Sequence, residues 1–232
     1  MMYKALVFDL DDTLCNTSEI ADQVRLDFYK RNITHFPGKT LEELMDIHAK
    51  AFEETARNPQ IPVNTAYILF WYRVFEFLNI KPSIRVIHQF TSEMTDAFSK
   101  NVKLTQGSFD LLEYLVREKI LIGILTNGTY FQQTSKLITL GIDHMIDYLV
   151  TPDMCLADKP DPKSFRYILN KLGVKPEESL MIGNNFTADI AGAKRVGMDA
   201  IYLDLGTDEK KDEVKPDLIV TSLRDLITWL DR

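Results

Sequence analysis

Short apolar runs alternate with longer helical patterns over most of the chain. Lys4-Ala-Leu-Val-Phe-Asp9 is a short apolar run ending in an acid. A continuous apolar run suits a strand buried on both faces. Similar runs lie at Ile120–Thr126, Asp147–Thr151, Leu180–Gly183 and Ala200–Leu203, with Leu218–Val220 a candidate sixth. Between them the period lengthens. Residues 105–118 place Phe109, Leu112, Leu115 and Val116 on one helical face. Residues 131–140 run into Gly141, a suitable residue to follow a helix end. Asp161-Pro162 reads as an N-cap with proline in the first turn, and the helix it opens carries Phe165, Ile168, Leu169 and Leu172 before Gly173. A short helix at 188–196 is stopped by Gly197. This alternation predicts an α/β fold, a doubly wound parallel sheet with helices on both faces.

Residues 16–103 break the alternation. Ile20, Val24 and Phe28 recur at spacing four. Thr40-Leu-Glu-Glu43 forms a capping box before Leu44, Ile47, His48, Ala51 and Phe52. Asn64 or Thr65 caps an apolar helix from Ala66 to Leu78, and Val86, Phe90, Met94 and Phe98 step by four again. Pro59, Pro62 and Pro82 separate these segments. The expected organisation is a core of residues 1–15 and 104–232, with a small all-helical domain of about four helices at 16–103 inserted after the first strand. The aromatic residues of 67–77 are too dense for one helix face; most supply its core, and a Tyr or Trp at the edge is a candidate to stack on a substrate ring. The charged stretch 207–215 reads as a solvated loop.

The chain has 232 residues, 45% hydrophobic and 26% charged, with a net charge of −7. That composition is ordinary for a globular protein. The acidic balance provides no general field for a nucleic acid polymer or an anionic membrane. An anionic substrate must be gripped locally, by a cation, a lysine or backbone N–H groups. Two cysteines, Cys15 and Cys155, make no disulfide framework. The N-terminus lacks the pattern of a signal peptide, so a cytoplasmic location is expected.

The chemistry concentrates at strand ends. In Phe8-Asp-Leu-Asp-Asp-Thr-Leu14 the chain leaves the first strand at its carboxyl end, the edge where ligands bind in such sheets. A curl there brings Asp9, Asp11 and intervening backbone N–H groups, Leu10's among them, around one point. Two carboxylates at one point repel unless a cation joins them or one is protonated. Oxygen-only ligands favour magnesium, which takes a few carboxylates plus substrate phosphate.

This segment resembles the first motif of the haloacid dehalogenase (HAD) superfamily, and three further stretches follow in that family's order. They are Ile124-Leu-Thr-Asn-Gly128, Lys159-Pro160 and Leu180-Met-Ile-Gly-Asn-Asn-Phe-Thr-Ala-Asp189. The helical insert resembles the family's cap, which would enclose small substrates. The resemblance implies that Asp9 attacks phosphorus and carries an aspartyl-phosphate. It implies that Asp11 protonates the leaving alkoxide and then activates water. Dehalogenases of the superfamily lack this second acid, since a halide needs no proton. Thr13 would shape the turn. Thr126 would donate its hydroxyl to a phosphoryl oxygen, the Asn127 N–H would add a second donor, and Lys159 would offset charge between Asp9 and the phosphate. Asp9, Asp11, Asn184 and Asp189 would hold magnesium.

Asn184 stands where the family usually has aspartate. It keeps an amide oxygen but removes one negative charge, so weaker magnesium binding is expected. The implied function is a phosphatase of small phosphorylated metabolites, nucleotides or sugar phosphates, similar to the nucleotidase and acylneuraminate-phosphatase branch. A phosphomutase, a phosphonatase or a binding protein on the same scaffold are the alternatives. Cys15 and the scattered histidines His35, His48, His88 and His144 are expected in core or surface roles.

Overall fold

The computed structural model describes residues 3–58, 60–206 and 214–230. The insert holds helices α1 Thr17–Arg31, α2 Leu41–Glu54, α3 Val63–Phe77 and α4 Ile84–Asn101. The remaining elements are β1 Ala5–Phe8, α5 Ser108–Arg117, β2 Leu121–Leu125, α6 Tyr130–Leu140, β3 Tyr148–Val150, α7 Pro152–Cys155, α8 Pro162–Leu172, β4 Ser179–Gly183, α9 Gly192–Val196, β5 Asp199–Leu203, β6 Leu218–Val220 and α10 Arg224–Leu230. By Cα packing the chain divides into two compact units, Met1–Thr17 with Val102–Arg232, and Ser18–Asn101. The charged loop at 207–215 falls mostly outside the described residues, as does Pro59. No helix among the described residues is long and apolar enough to cross a membrane.

The strands form one sheet in the order β3-β2-β1-β4-β5-β6, and each neighbouring pair is parallel. Leu218–Val220 is therefore a strand, at the sheet edge. Every residue of β1 is buried, because β1 has strands on both sides and helices over both faces. That is why its sequence is apolar without alternation. The chain winds outward from β1 to β3, then returns to the other side of β1 as β4. The loops after β1 and β4 consequently diverge, and the crevice between them is the ligand-binding edge of a doubly wound sheet.

Local signals place several helix ends as expected. Asp161 Oδ1 accepts the Lys163 N–H at 2.8 Å, and Gly141 and Gly173 follow their helices in the left-handed region. Thr40 and Glu43 exchange both capping-box bonds, at 3.2 and 2.8 Å. Elsewhere the packing differs from the periodic pattern. On α5 the buried residues include Leu111, Leu112, Tyr114 and Leu115, while Phe109 and Val116 are exposed. Two overlapping apolar stripes run along that helix, and its contacts with β2 and α10 select one of them. Helix α3 begins at Val63, after Pro62, three residues before the expected start. A first turn needs no intrahelical partners for its N–H groups, so the proline cap does not obstruct it. The expected helix at 188–196 is a π-helical turn, Phe186–Ala191, followed by α9.

The helical unit has an aromatic centre. Phe28, Trp71, Phe75 and Phe90 meet with ring centroids 5.0–5.9 Å apart. Phe70, Trp71 and Phe75 of α3 point inward, whereas Tyr72 is exposed. His48 is buried among them and its Nδ1 lies 3.0 Å from the Tyr29 hydroxyl. Burial, helped by the Arg25 charge, pushes the imidazole pKa down from 6.5 to about 3. The folded ring is thus neutral where an unfolded one would take a proton. Its stabilising contribution is complete above about pH 6.5 and is lost progressively as pH falls toward about 3. In a Trp229→Phe background, Trp71 fluorescence in urea should therefore report a helical unit weaker at pH 5 than at pH 7 by about 2 kcal/mol, at roughly 1.4 kcal/mol per unit below the normal pKa. His48→Gln should flatten that slope; an unchanged slope would refute the assignment.

Candidate active site

The last ladder bond of β1 runs from the Asp9 N–H to the Ile182 carbonyl, at 2.9 Å. Beyond it the chain curls. The N–H groups of Thr13, Leu14 and Cys15 all converge on the Leu10 carbonyl, at 3.3, 3.0 and 3.1 Å. Asp12 takes a φ of 59°, a left-handed conformation that aspartate tolerates better than most residues. Leu10, Leu14 and Cys15 are wholly buried and fix the curl to the core. Burial pushes the Cys15 thiol up to about 12, so it stays protonated and structural. Among the described residues no acceptor takes the backbone N–H of Leu10 or of Asn127.

Lys159 lies between α7 and α8 and is buried. Its ammonium donates to Asp9 Oδ1 and to Asp189 Oδ1, each at 2.6 Å. Asp189 is wholly buried, on the π-helical turn after β4, and its other oxygen accepts the Asn185 N–H at 2.9 Å. A Cβ on Gly183 would stand 2.2 Å from Asp189 Oδ2, so the strand must end in glycine to admit this carboxylate. Burial alone would lower the Lys159 pKa. The charges of Asp189 and Asp9 and the two hydrogen bonds outweigh it, and the net shift is upward.

Asp9 is shifted up, to about 7. Burial is the main cause; Lys159 pulls the other way, and the charges of Asp189 and Asp11 add to the rise. Only its Oδ1 is engaged among the described residues, which leaves Oδ2 unpartnered.

Asp11 is more fully held. Its Oδ1 accepts from the Thr17 hydroxyl and the Lys136 ammonium, and its Oδ2 accepts from Gln133 Nε2 at 2.7 Å. Burial works to raise its pKa, but Lys136 and these hydrogen bonds outweigh it and hold the carboxyl below the usual range. Lys136 and Gln133 are both buried on α6, and neither belongs to a motif recognised in the sequence. A signal was present all the same: both share the helix face of buried Leu137, where apolar residues would be expected.

Thr126 follows β2, and its Oγ1 accepts from the Gly128 N–H at 3.2 Å and from Gln133 Nε2 at 2.6 Å. The Asn127 side chain meets the Lys159 backbone twice: Nδ2 donates to the carbonyl at 2.9 Å and Oδ1 accepts the N–H at 2.7 Å. It anchors the loop that carries the lysine, a task separate from the substrate contact expected of its backbone. Thr13 Oγ1 donates to Asn184 Oδ1 at 3.1 Å and ties the loop after β1 to the loop after β4.

Three carboxylates, of Asp9, Asp11 and Asp189, face two ammonium groups, of Lys136 and Lys159. With Asp9 ionised the cluster carries one net negative charge. Of the six carboxylate oxygens, Asp9 Oδ2 alone is unshared among the described residues, and it is a hard donor. No group of three His, Cys, Asp or Glu side chains able to hold a metal gathers among the described residues. The donors nevertheless fit a divalent cation in kind. They are oxygens, and Oδ2 of the buried Asp9 is a carboxylate oxygen without a partner among the described residues.

Comparison with known proteins places the chain in a family. A glyceraldehyde 3-phosphate phosphatase of Methanothermobacter thermautotrophicus is 31% identical over 97% of both chains. The pyrimidine 5'-nucleotidase PynA of Streptococcus pneumoniae is 26% identical over 100% of this chain and 97% of its own. Among solved structures, a HAD-hydrolase of Bacillus subtilis bound to magnesium superposes with a TM-score of 0.77 over the whole of both chains, at 17% identity. The family model of haloacid dehalogenase-like hydrolases matches residues 6–203. With a parallel six-stranded core, a helical cap inserted after β1, and four motifs converging on one crevice, the chain belongs to the haloacid dehalogenase-like hydrolases.

Proposed function

We propose that the protein is a phosphatase of small phosphomonoesters, of the sugar-phosphate or nucleotide type, that works through an aspartyl-phosphate on Asp9. The observation that carries this reading is the Lys159 ammonium bound to Asp9 Oδ1 at 2.6 Å with Oδ2 left open. A carboxylate held by one oxygen presents the other in a fixed direction. The names of the relatives, a triose-phosphate phosphatase and a nucleotidase, support the substrate class.

In the first step Asp9 Oδ2 attacks phosphorus and the ester P–O bond breaks. The leaving alkoxide takes a proton from Asp11. In the second step water attacks the same phosphorus, Asp11 takes a proton from that water, and the acyl-phosphate P–O bond breaks. Inorganic phosphate leaves and Asp9 is regenerated. Thr126 Oγ and the backbone N–H groups of Leu10 and Asn127 are the donors for the phosphoryl oxygens, and Lys159 balances charge at the nucleophile. Asp11 is held low in the structure, and an arriving phosphate dianion acts in the direction that lets it carry the proton it must donate.

Asp9 must be ionised to attack, yet burial and its acidic neighbours raise its pKa to about 7. One further positive charge would correct this. We assign that role to magnesium, held by Asp9, Asp11, Asn184 and Asp189. Bound there, it would neutralise carboxylate and phosphoryl oxygens.

Asp9→Asn should lower phosphate release from a panel of metabolite monoesters by at least about 10³-fold, the scale of losing a nucleophile; a variant with near wild-type turnover would overturn the covalent route. Asp11→Asn should lower kcat by about 10²- to 10⁴-fold on alkyl phosphates and much less on p-nitrophenyl phosphate, whose leaving group needs no proton. Equal losses on both would remove Asp11 from the acid role. Asn184→Asp restores a negative charge, so the magnesium concentration for half-maximal activity should fall by about tenfold, the equivalent of roughly 1.4 kcal/mol. Titration calorimetry should show the same tightening, and unchanged magnesium binding would take Asn184 out of the ligand set.

A further inference from the structure

Gln133 is wholly buried on α6, and the proposed reaction gives it no task. Its amide nitrogen lies 2.6 Å from Thr126 Oγ1 and 2.7 Å from Asp11 Oδ2. A primary amide has two N–H hydrogens, one for each of these oxygens. The NH₂ end suits this place, because the amide oxygen would face a carboxylate. Its own Oε1 is buried with no partner among the described residues, so the nitrogen alone holds the amide. Thr126 Oγ1 also accepts the Gly128 N–H, at 3.2 Å. A hydroxyl oxygen has two lone pairs and one hydrogen. Here both lone pairs are taken, and among the described residues no acceptor receives the hydrogen. Thr126 is left able to act only as a donor.

The motif glycine belongs to the same arrangement. A Cβ on Gly128 would stand 2.4 Å from Gln133 Nε2 and 2.5 Å from Gln133 Cδ. The amide can reach Thr126 only by passing over a residue with no side chain. Gln133 and the Thr126-Asn127-Gly128 turn therefore form one device, although they lie in different elements.

We propose that Gln133 is a positioning residue that fixes the Thr126 hydroxyl as a hydrogen-bond donor to a phosphoryl oxygen and holds it at a set distance from Asp11. This rests on the reading that Thr126 binds the transferred phosphate. Without the amide, one Thr126 lone pair is freed, the hydroxyl hydrogen is no longer confined to the substrate side, and the substrate oxygen can meet a lone pair instead of a proton. Lost preorganisation of one donor at such a site costs rate as well as affinity.

The test is a double-mutant cycle on the full chain, read with p-nitrophenyl phosphate as substrate and inorganic phosphate as competitive inhibitor. Gln133→Met keeps the length and removes both N–H groups. It should raise the inhibition constant of phosphate and lower kcat/KM by about 10- to 100-fold, somewhat less than full removal of a donor. In a Thr126→Ala background the same substitution should change either quantity less than about threefold, since residues that act through one another are not additive. In a Thr126→Ser background, which keeps the hydroxyl, its full effect should return. Gly128→Ala displaces the amide by a second route and should reproduce the loss if Gln133→Met does not fold. If Thr126→Ala weakens phosphate binding while Gln133→Met behaves as wild type, the inference falls and the phosphate reading of Thr126 stands. Losses that multiply in the double variant overturn the inference in the same way. If Thr126→Ala leaves phosphate inhibition unchanged, the reading itself falls and the inference goes with it.

Discussion

The nucleophile end of the crevice is arranged around one buried ammonium. Lys159 touches Asp9 and Asp189, and so joins three segments that are far apart in the chain. Burying charges this deeply costs several kcal/mol per ion, and the arrangement stands only if each charge is hydrogen-bonded as well as paired. That requirement explains neighbouring features that look unrelated in sequence. Asn127 grips the Lys159 backbone on both sides, Gly183 leaves room for Asp189, and the π-helical turn after β4 carries the Asp189 carboxylate to the lysine. Removing one member would leave the others buried and unbalanced.

The second cluster has the opposite electrostatic character. Asp9 is raised because burial and two acidic neighbours outweigh one lysine. Asp11 is lowered because Lys136, Thr17 and Gln133 outweigh its burial. Two carboxylates two residues apart are thus separated in proton affinity by the side chains around them. Acid, base and nucleophile are commonly distinguished in this way. Here the proposed reaction requires the order to be altered as charged ligands enter, because Asp9 must lose its proton and Asp11 must gain one. A divalent cation near Asp9 and a dianion near Asp11 act in those directions.

Helix α6 supplies the link between the two halves. Its buried polar face sets Gln133 between the Thr126 hydroxyl and the carboxylate of Asp11, with Lys136 bound to the other oxygen of that carboxylate. A helix is suited to this, since residues three apart project from the same face in a fixed relation. The strand ends bring the polar groups together, and the helix sets their orientation.

The parallel core was legible in the sequence because strands buried on both faces must be continuously apolar. Each of the apolar runs, including Leu218–Val220, lies in the sheet. The helical insert was legible from capping and spacing, and the resemblance of four short motifs to one family singled out Asp9, Thr126, Lys159 and Asp189 as a set. Which stripe of α5 is buried was not legible, because Phe109 and Leu111 are equally apolar and only the contacts with β2 and α10 separate them. Gln133, Lys136 and the side-chain role of Asn127 were not legible either. Each depends on a partner distant in the chain, and local pattern carries no record of such a partner. The amino-acid sequence by itself determined the elements, which follow from local periodicity, and named most of the residues gathered in the crevice through motifs that resemble those of a known family. The tertiary structure alone decided the proton affinity and orientation of those groups, because burial and hydrogen bonding between distant segments set both.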